Sequence, residues 1–129
     1  MVKDIEPRLG ISKPVFLYDY PASFAALAKL KDEAPEFAER FEIYVGGLEL
    51  ANAFSELTDA EEQKLRFEME RRQRKQLGKR TYPFPKKFLE SLSDMPSSAG
   101  IALGVDRLAM LFADTTKIDD VISFAPEEL

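Results

Sequence analysis

Two runs rich in apolar and aromatic residues, Phe41-Glu42-Ile43-Tyr44-Val45 and Leu48-Glu49-Leu50-Ala51-Asn52-Ala53-Phe54, flank the dipeptide Gly46-Gly47. Glycine enters the left-handed backbone region at low cost, and a two-residue turn with that geometry joins adjacent antiparallel strands in a fixed register. The chain is thereby committed to a hairpin in which Val45 pairs with Leu48 and Tyr44 with Glu49. The remaining elements have to be arranged around it.

Upstream, Val15-Phe16-Leu17-Tyr18-Asp19-Tyr20 reads as a strand whose end is marked by Pro21. Ala22 to Lys31 is made of strong helix formers, with Phe24, Leu27, Ala28 and Leu30 spaced to cover a sheet, and predicts a helix that Pro35 terminates. Downstream, Thr58-Asp59-Ala60-Glu61 has the form of a capping box. The helix it opens places Glu62 before Arg66, Glu68 before Arg72 and Glu70 before Arg74 at i, i+4 spacing, and Gly78 ends it. Its few apolar residues, chiefly Leu65, Phe67, Met69 and Leu77, leave most of its surface to water or a partner. Tyr82-Pro83-Phe84-Pro85 makes an extended link to a short helix over Phe88 to Leu92. Ile101-Ala102-Leu103-Gly104 predicts a short buried strand that runs straight into a helix over Val105 to Ala113, with Leu108, Leu111 and Phe112 on one face. These elements predict an α+β fold: an antiparallel sheet built from residues near 15–20, 40–45, 48–57 and 100–104, with helices packed on one side.

Composition narrows the chemistry. A chain of 129 residues with 45% hydrophobic content supports one modest core. It contains no cysteine and no histidine, which excludes disulfides, thiolate nucleophiles, histidine-based acid–base catalysis and zinc sites built on sulfur or imidazole. Carboxylates, amides, amines and guanidinium groups remain. No apolar run reaches the ~18 residues of a membrane span, and Met1 to Gly10 lacks an apolar signal core, so the expected compartment is the cytoplasm. A net charge of -5 argues against a protein that works by wrapping nucleic acid, although Arg71, Arg72, Arg74, Lys75, Lys79 and Arg80 form a dense basic run after the acid-rich stretch Asp59 to Glu70.

Three constellations can carry chemistry. In the hairpin register Glu42 and Glu49 are diagonal neighbours, roughly 7–8 Å apart at the backbone. They either share a divalent cation, for which oxygen-only ligation suits magnesium held together with nucleotide phosphates, or stand as two independent surface acids. Asn52, Phe54 and Glu56 alternate along the second strand, offering an amide, an aromatic wall and a carboxylate to a ligand with an ammonium head, or forming an ordinary strand face. Parity sets this trio on the face opposite Glu49 unless a bulge near Ala51 changes the phase. Arg107 lies in the first turn of the last helix, where a cation opposes the helix dipole; either an anionic ligand such as phosphate or a salt bridge to Asp106 or another acid resolves that conflict.

Taken together, the residues resemble a known family. Phe41 to Gln63, with Glu42, Glu49, Asn52, Phe54 and Glu56, is similar to the lysine-pocket segment of class II lysyl-tRNA synthetases, and Gly100-Ile101-Ala102-Leu103-Gly104-Val105-Asp106-Arg107-Leu108-Ala109-Met110-Leu111 resembles motif 3 of class II aminoacyl-tRNA synthetases. Ile118 to Phe124 is similar to the segment that closes that catalytic domain, so the resemblance covers essentially all of residues 1–129 as its C-terminal part. It implies that Glu42 and Glu49 hold magnesium on ATP, that Gly104 and Arg107 face ATP with Arg107 on the γ-phosphate, and that Asn52, Phe54, Glu56 and Ala102 line the amino-acid pocket. The implied chemistry is attack of a lysine carboxylate on the α-phosphorus to give an aminoacyl-adenylate, with no covalent enzyme intermediate.

Within the family, Ala102 stands where synthetases usually carry glycine, a resemblance to the branch that attaches a lysine-type residue to elongation factor P and a change expected to favour β-lysine over α-lysine. Ile5-Glu6-Pro7-Arg8-Leu9-Gly10, Asp19-Tyr20-Pro21-Ala22-Ser23 and the basic helix leading to Leu77-Gly78 and Tyr82-Pro83 resemble the same branch. The implied acceptor is elongation factor P, with tRNA as the alternative if the chain is half of a true synthetase; a non-catalytic remnant that binds a nucleotide or a partner is the third possibility. The basic run is either a docking surface for such an acceptor or a solvated helix. No segment resembles motif 1, which builds the homodimer interface of the complete protein, or motif 2, which supplies the α-phosphate arginine. The 129-residue chain is therefore expected to be inactive alone, and to expose sheet edge and apolar surface.

Overall fold

The computed structural model describes residues 4–125. Four strands, β1 (Val15–Pro21), β2 (Phe37–Val45), β3 (Leu48–Ser55) and β4 (Ala99–Leu103), form one antiparallel sheet in the order β1-β2-β3-β4. Three helices accompany them: α1 (Ala60–Gln76), α2 (Lys86–Leu92) and α3 (Val105–Ala113). The fold is α+β as expected, and no helix among the described residues is long and apolar enough to cross a membrane.

The hairpin forms where the two glycines dictate. Gly46 and Gly47 have φ of 60° and 80°, the positive values a two-residue turn between twisted strands requires. The turn is held from outside as well. Gly46 N–H donates to the Gly10 carbonyl at 2.8 Å and Gly47 N–H to the Leu9 carbonyl at 2.9 Å. Gly10 is itself in the left-handed region, and a Cβ there would press on the Tyr44 carbonyl and come within 2.8 Å of the Val45 nitrogen.

The chain divides into two compact units, Met1–Tyr18 with Phe41–Ala53 and Ile101–Leu129, and Asp19–Arg40 with Phe54–Gly100. In the first, Tyr44, Ala51, Ala53 and Met110 are buried. Phe16 packs on Phe41 with ring centroids 5.8 Å apart. α3 follows β4 after the single residue Gly104, whose N–H donates to the Leu50 carbonyl at 2.9 Å. Leu108 and Leu111 are half-buried and Met110 is buried, but Phe112, expected on the same face, is 85% exposed. The buried face of α3 is therefore centred one residue away from the expected stripe.

In the second unit α1 begins at Asp59, not at the Thr58 of the expected capping box: the Asp59 carboxylate accepts from the Glu61 and Glu62 amides at 2.9 and 3.0 Å. Aspartate caps as well as threonine and also carries the negative charge that favours a helix start. The predicted ion pairs Glu62–Arg66, Glu68–Arg72 and Glu70–Arg74 all form, and Gly78 follows the Leu77 cap with φ of 64°. Residues 82–85 carry no helix or strand and are pinned through Phe84, whose ring meets Phe67 edge-on at 6.5 Å, while Phe67 also touches Phe88 of α2 at 6.0 Å.

Two expectations fail here. Residues 22–31 are not a helix beyond a three-residue 3-10 turn at Ala22–Phe24. Ala26 takes φ of 52°, and the following backbone pairs sideways, Lys29 N–H to the Ser55 carbonyl at 2.8 Å and Lys31 N–H to the Phe37 carbonyl at 2.9 Å. Helix propensity is a weak prior, and edge pairing with two neighbouring segments overrides it. The second concerns β4, whose residues are all exposed, Ile101 at 58% and Leu103 at 47%, because it is the last strand in the sheet order and has one neighbour.

Gly10 and Gly78 both adopt positive φ, but only Gly10 is crowded, since nothing lies within 4 Å of a Cβ at Gly78. Replacing Gly78 by alanine is expected to cost about 1 kcal/mol, the left-handed penalty alone. Gly10→Ala adds a backbone clash and should cost about 3 kcal/mol. Urea denaturation of the two variants separates these contributions, and equal losses would show that the Gly10 contact is not part of the folded state.

Candidate functional site

Strand alternation carries the side chains of Glu42 and Tyr44 to the same face of β2, and both are buried, at 5% and 1% exposure. The Tyr44 hydroxyl donates to Glu42 Oε2 at 2.6 Å, and the Asn52 amide donates to Glu42 Oε1 at 3.3 Å. Regular pairing from the Gly46-Gly47 turn sets Ala51, not Asn52, opposite Glu42. The bond to Asn52 is thus one that regular pairing alone does not predict.

Glu49, next to the turn on β3, stands with Arg107. The Arg107 guanidinium donates to the Glu49 backbone carbonyl and lies 3.8 Å from its carboxylate. Of the ways to offset a cation in the first turn of α3, this structure uses an acid, and it is Glu49 and not Asp106. Both side chains are substantially exposed, at 47% and 37%, so the pair contributes at most about 1 kcal/mol. Gly104, at the cap of α3, spends its amide on the Leu50 carbonyl, so that amide is not aimed at a ligand. Its missing Cβ makes room for Arg107, whose Cδ would lie 3.2 Å from it. Ala102 is exposed on β4.

Phe54 and Glu56 belong to the second unit. Phe54 is half-buried, and Glu56 forms an isolated antiparallel bridge with Ala28 while its N–H donates to the Ser98 carbonyl at 2.9 Å. The Glu56 carboxylate lies over Gly100: a Cβ at Gly100 would be 2.9 Å from Oε1. A cavity of about 810 Å³ in the same unit is lined by other residues, among them Phe24, Leu27, Arg40, Gln63 and Phe67, and by none of the predicted site residues. Gln63 is buried at 1% exposure, and its Oε1 has no hydrogen-bond partner among the described residues.

The two acids of the hairpin thus make different contacts, Glu42 with Tyr44 and Asn52 and Glu49 with Arg107. No group of three or more acidic side chains able to hold a metal occurs among the described residues. Two hard carboxylates with no nitrogen or sulfur donor fit magnesium, an ion that takes one or two protein carboxylates and fills its other positions with phosphate and water. Tyr44 and Gly100 were not singled out from sequence. Tyr44 was discoverable, because it sits two residues from Glu42 on the same face; Gly100 was not, because its role depends on where a distant side chain lies.

The family model described as tRNA synthetases class II (D, K and N) matches residues 5–128. Among curated proteins, the elongation factor P–(R)-β-lysine ligase of Proteus mirabilis (strain HI4320) is 50% identical over 124 residues, which is 95% of this chain and 38% of that protein. The protein of the same name from Haemophilus influenzae (strain PittGG) is 48% identical over 122 residues, 94% of this chain and 38% of its own length, and that of Erwinia tasmaniensis 48% over 124 residues, 95% and 38%. The chain spans a little over a third of the length of these relatives.

Tyr44→Phe removes the hydroxyl from the buried Glu42 carboxylate and should destabilise the fold by about 1–3 kcal/mol. Arg107→Ala breaks an exposed pair and an exposed hydrogen bond to the Glu49 carbonyl, and should cost about 1 kcal/mol or less. Thermal denaturation of both variants tests this ordering, and a larger loss for Arg107→Ala would mean that the exposed pair, not the buried carboxylate, holds the hairpin together.

Proposed function

Because the chain belongs to the class II tRNA synthetases of the D, K and N type, we propose that it is part of an ATP-dependent ligase that activates a lysine-type amino acid and transfers it to a lysine side chain of elongation factor P. The observation that carries this is the 47–50% identity, over nearly the whole chain, to proteins named elongation factor P–(R)-β-lysine ligase. The charged residues of the hairpin and α3 support it, since their chemistry suits a nucleotide and an amino acid.

In the proposed reaction a carboxylate oxygen of the amino acid attacks the α-phosphorus of ATP, and pyrophosphate leaves. The ε-amine of the acceptor lysine then attacks the acyl carbon, AMP leaves, and an amide remains. Arg107 offsets γ-phosphate charge, most strongly where charge builds up during transfer. Glu42 and Glu49 would hold magnesium, which when bound neutralises phosphate charge. Tyr44 and Asn52 keep the Glu42 carboxylate oriented. Asn52, Phe54 and Glu56 are assigned to the amino acid, with Glu56 pairing its ammonium, and Gly104 to the nucleotide. Ala102 narrows the amino-acid site relative to glycine and favours β-lysine.

The chain alone is proposed to be inactive, because a phosphoryl-transfer site without a motif 2 arginine lacks a main stabiliser of the reacting phosphorus. Completion with the N-terminal part of the Proteus mirabilis relative should restore ATP-dependent transfer of labelled β-lysine, in preference to α-lysine, to elongation factor P and not to tRNA. Label on tRNA would make the chain part of a lysyl-tRNA synthetase, and label on neither would leave a non-catalytic binding role. In the completed protein Arg107→Ala should slow pyrophosphate exchange by about 10²–10³-fold, and Ala102→Gly should improve the use of α-lysine. An Arg107→Ala variant that exchanges at the normal rate removes Arg107 from the chemistry.

A further inference from the structure

The basic run at the end of α1 is not absorbed by the adenylate chemistry. Between Arg71 and Arg80 there are six cations and no acid, in a chain of net charge -5. The helix dipole accounts for Arg74 and Lys75 in the last turn. It does not account for Arg71 and Arg72, or for Lys79 and Arg80, which lie beyond the helix end; within the helix Lys75 follows Arg71 at i, i+4 spacing, where like charges repel.

Packing gathers the run into one surface. The Arg74 guanidinium stacks over the Tyr82 ring at 4.8 Å and donates through Nε to the Arg80 carbonyl at 2.9 Å, while Arg71 sits over the Phe84 ring at 5.8 Å. These contacts fold the segment after Gly78 back along the helix. Lys79 is thereby brought beside Arg71, Arg72 and Lys75 around a surface concavity whose one acid is Glu68. Glu68 reaches Arg72 only at 3.9 Å, and the Arg72 side chain is 78% exposed.

We propose that this concave basic face docks an acidic surface of a folded partner protein; resting on the function proposed above, that partner is the acceptor of the lysine-type residue. A nucleic acid fits less well. Phosphates follow one another along a backbone, and the part of the same helix before Arg71 presents Glu61, Glu62, Glu68 and Glu70 to anything that extends past the basic end. A bounded acidic patch meets four cations around the single acid Glu68, and the acid-to-base polarity of α1 orients its approach.

The test is anisotropy of labelled elongation factor P titrated with this chain. The chain should bind, more weakly as salt rises from about 50 to about 300 mM. The triple variant Arg72→Glu, Lys75→Glu, Lys79→Glu, which leaves the Arg74 and Arg71 ring contacts intact, should raise Kd at least about tenfold, and the corresponding glutamine variant should fall between. Circular dichroism checks that both variants fold. The inference is overturned by an unchanged Kd in the reversed variant, by no binding of the native chain at low salt, or by tRNA binding the same residues more tightly than elongation factor P does. Transfer by the completed ligase separates the two proposals: transfer to elongation factor P with unaltered KM in the triple variant removes the docking face and keeps the function, whereas binding that depends on the patch without any transfer keeps the docking face and removes the function.

Discussion

A carboxylate held at 5% exposure is the constraint on which the hairpin unit depends. Taking an ionised carboxylate out of water costs several kcal/mol in a protein interior unless hydrogen bonds replace the lost hydration. Glu42 receives one from Tyr44, two residues along its own strand, and one from Asn52 on the neighbouring strand. Each donor fixes something. Tyr44 holds the carboxylate against β2, and Asn52 ties it to β3. The buried carboxylate thus rests on two neighbouring strands and not on a loop.

In the other unit two arginines do for an irregular segment what hydrogen bonds do inside a helix. Arg66 donates to the carbonyls of Ala26 and Ala28 at 3.0 and 2.8 Å while its other nitrogens hold Glu62, and Arg40 donates to the Phe24 carbonyl at 2.7 Å with its guanidinium 4.4 Å above the Tyr20 ring. Backbone carbonyls in a loop need partners as much as those in a helix do. Once long side chains from α1 and β2 supply them, an alanine-rich stretch has no need to coil. The i, i+4 pairing of Glu62 with Arg66, visible as surface decoration in the sequence, therefore serves to aim Arg66 at carbonyls some forty residues earlier in the chain.

That case shows where the sequence was legible and where it was not. The hairpin, the ends of α3, the ion pairs of α1 and the Gly78 stop depend on neighbours within a turn or two, and local pattern was enough to find them. Residues 22–31 were misread because their conformation is decided by Arg66 and by pairing with residues near 37 and 55, which propensity does not register. β4 was expected to be buried because its residues are apolar, yet burial depends on what covers a strand, and β4 has one neighbour. Type and spacing left Glu42, Glu49 and Arg107 with ordinary surface-acid or salt-bridge alternatives, and it was the resemblance that joined them as candidates. Their contacts were not legible: pairing parity sent Asn52 to the far face, yet its amide bonds to Glu42. The space that Gly100 leaves for Glu56 involves residues more than forty positions apart, and no short-range pattern encodes it.

The Glu49–Arg107 pair has a further consequence for the proposed chemistry. An exposed ion pair contributes little to stability, so breaking it costs little. The backbone carbonyl of Glu49 also accepts from the guanidinium, and the glycine at position 104 gives its stem room. A triphosphate offers Arg107 a more highly charged acceptor than one carboxylate, and a cation near the same phosphates offers Glu49 an alternative to the arginine. Exchange of partners would then leave each charge matched at every stage. The two residues can be held ready by one another without either being too firmly held to serve a ligand.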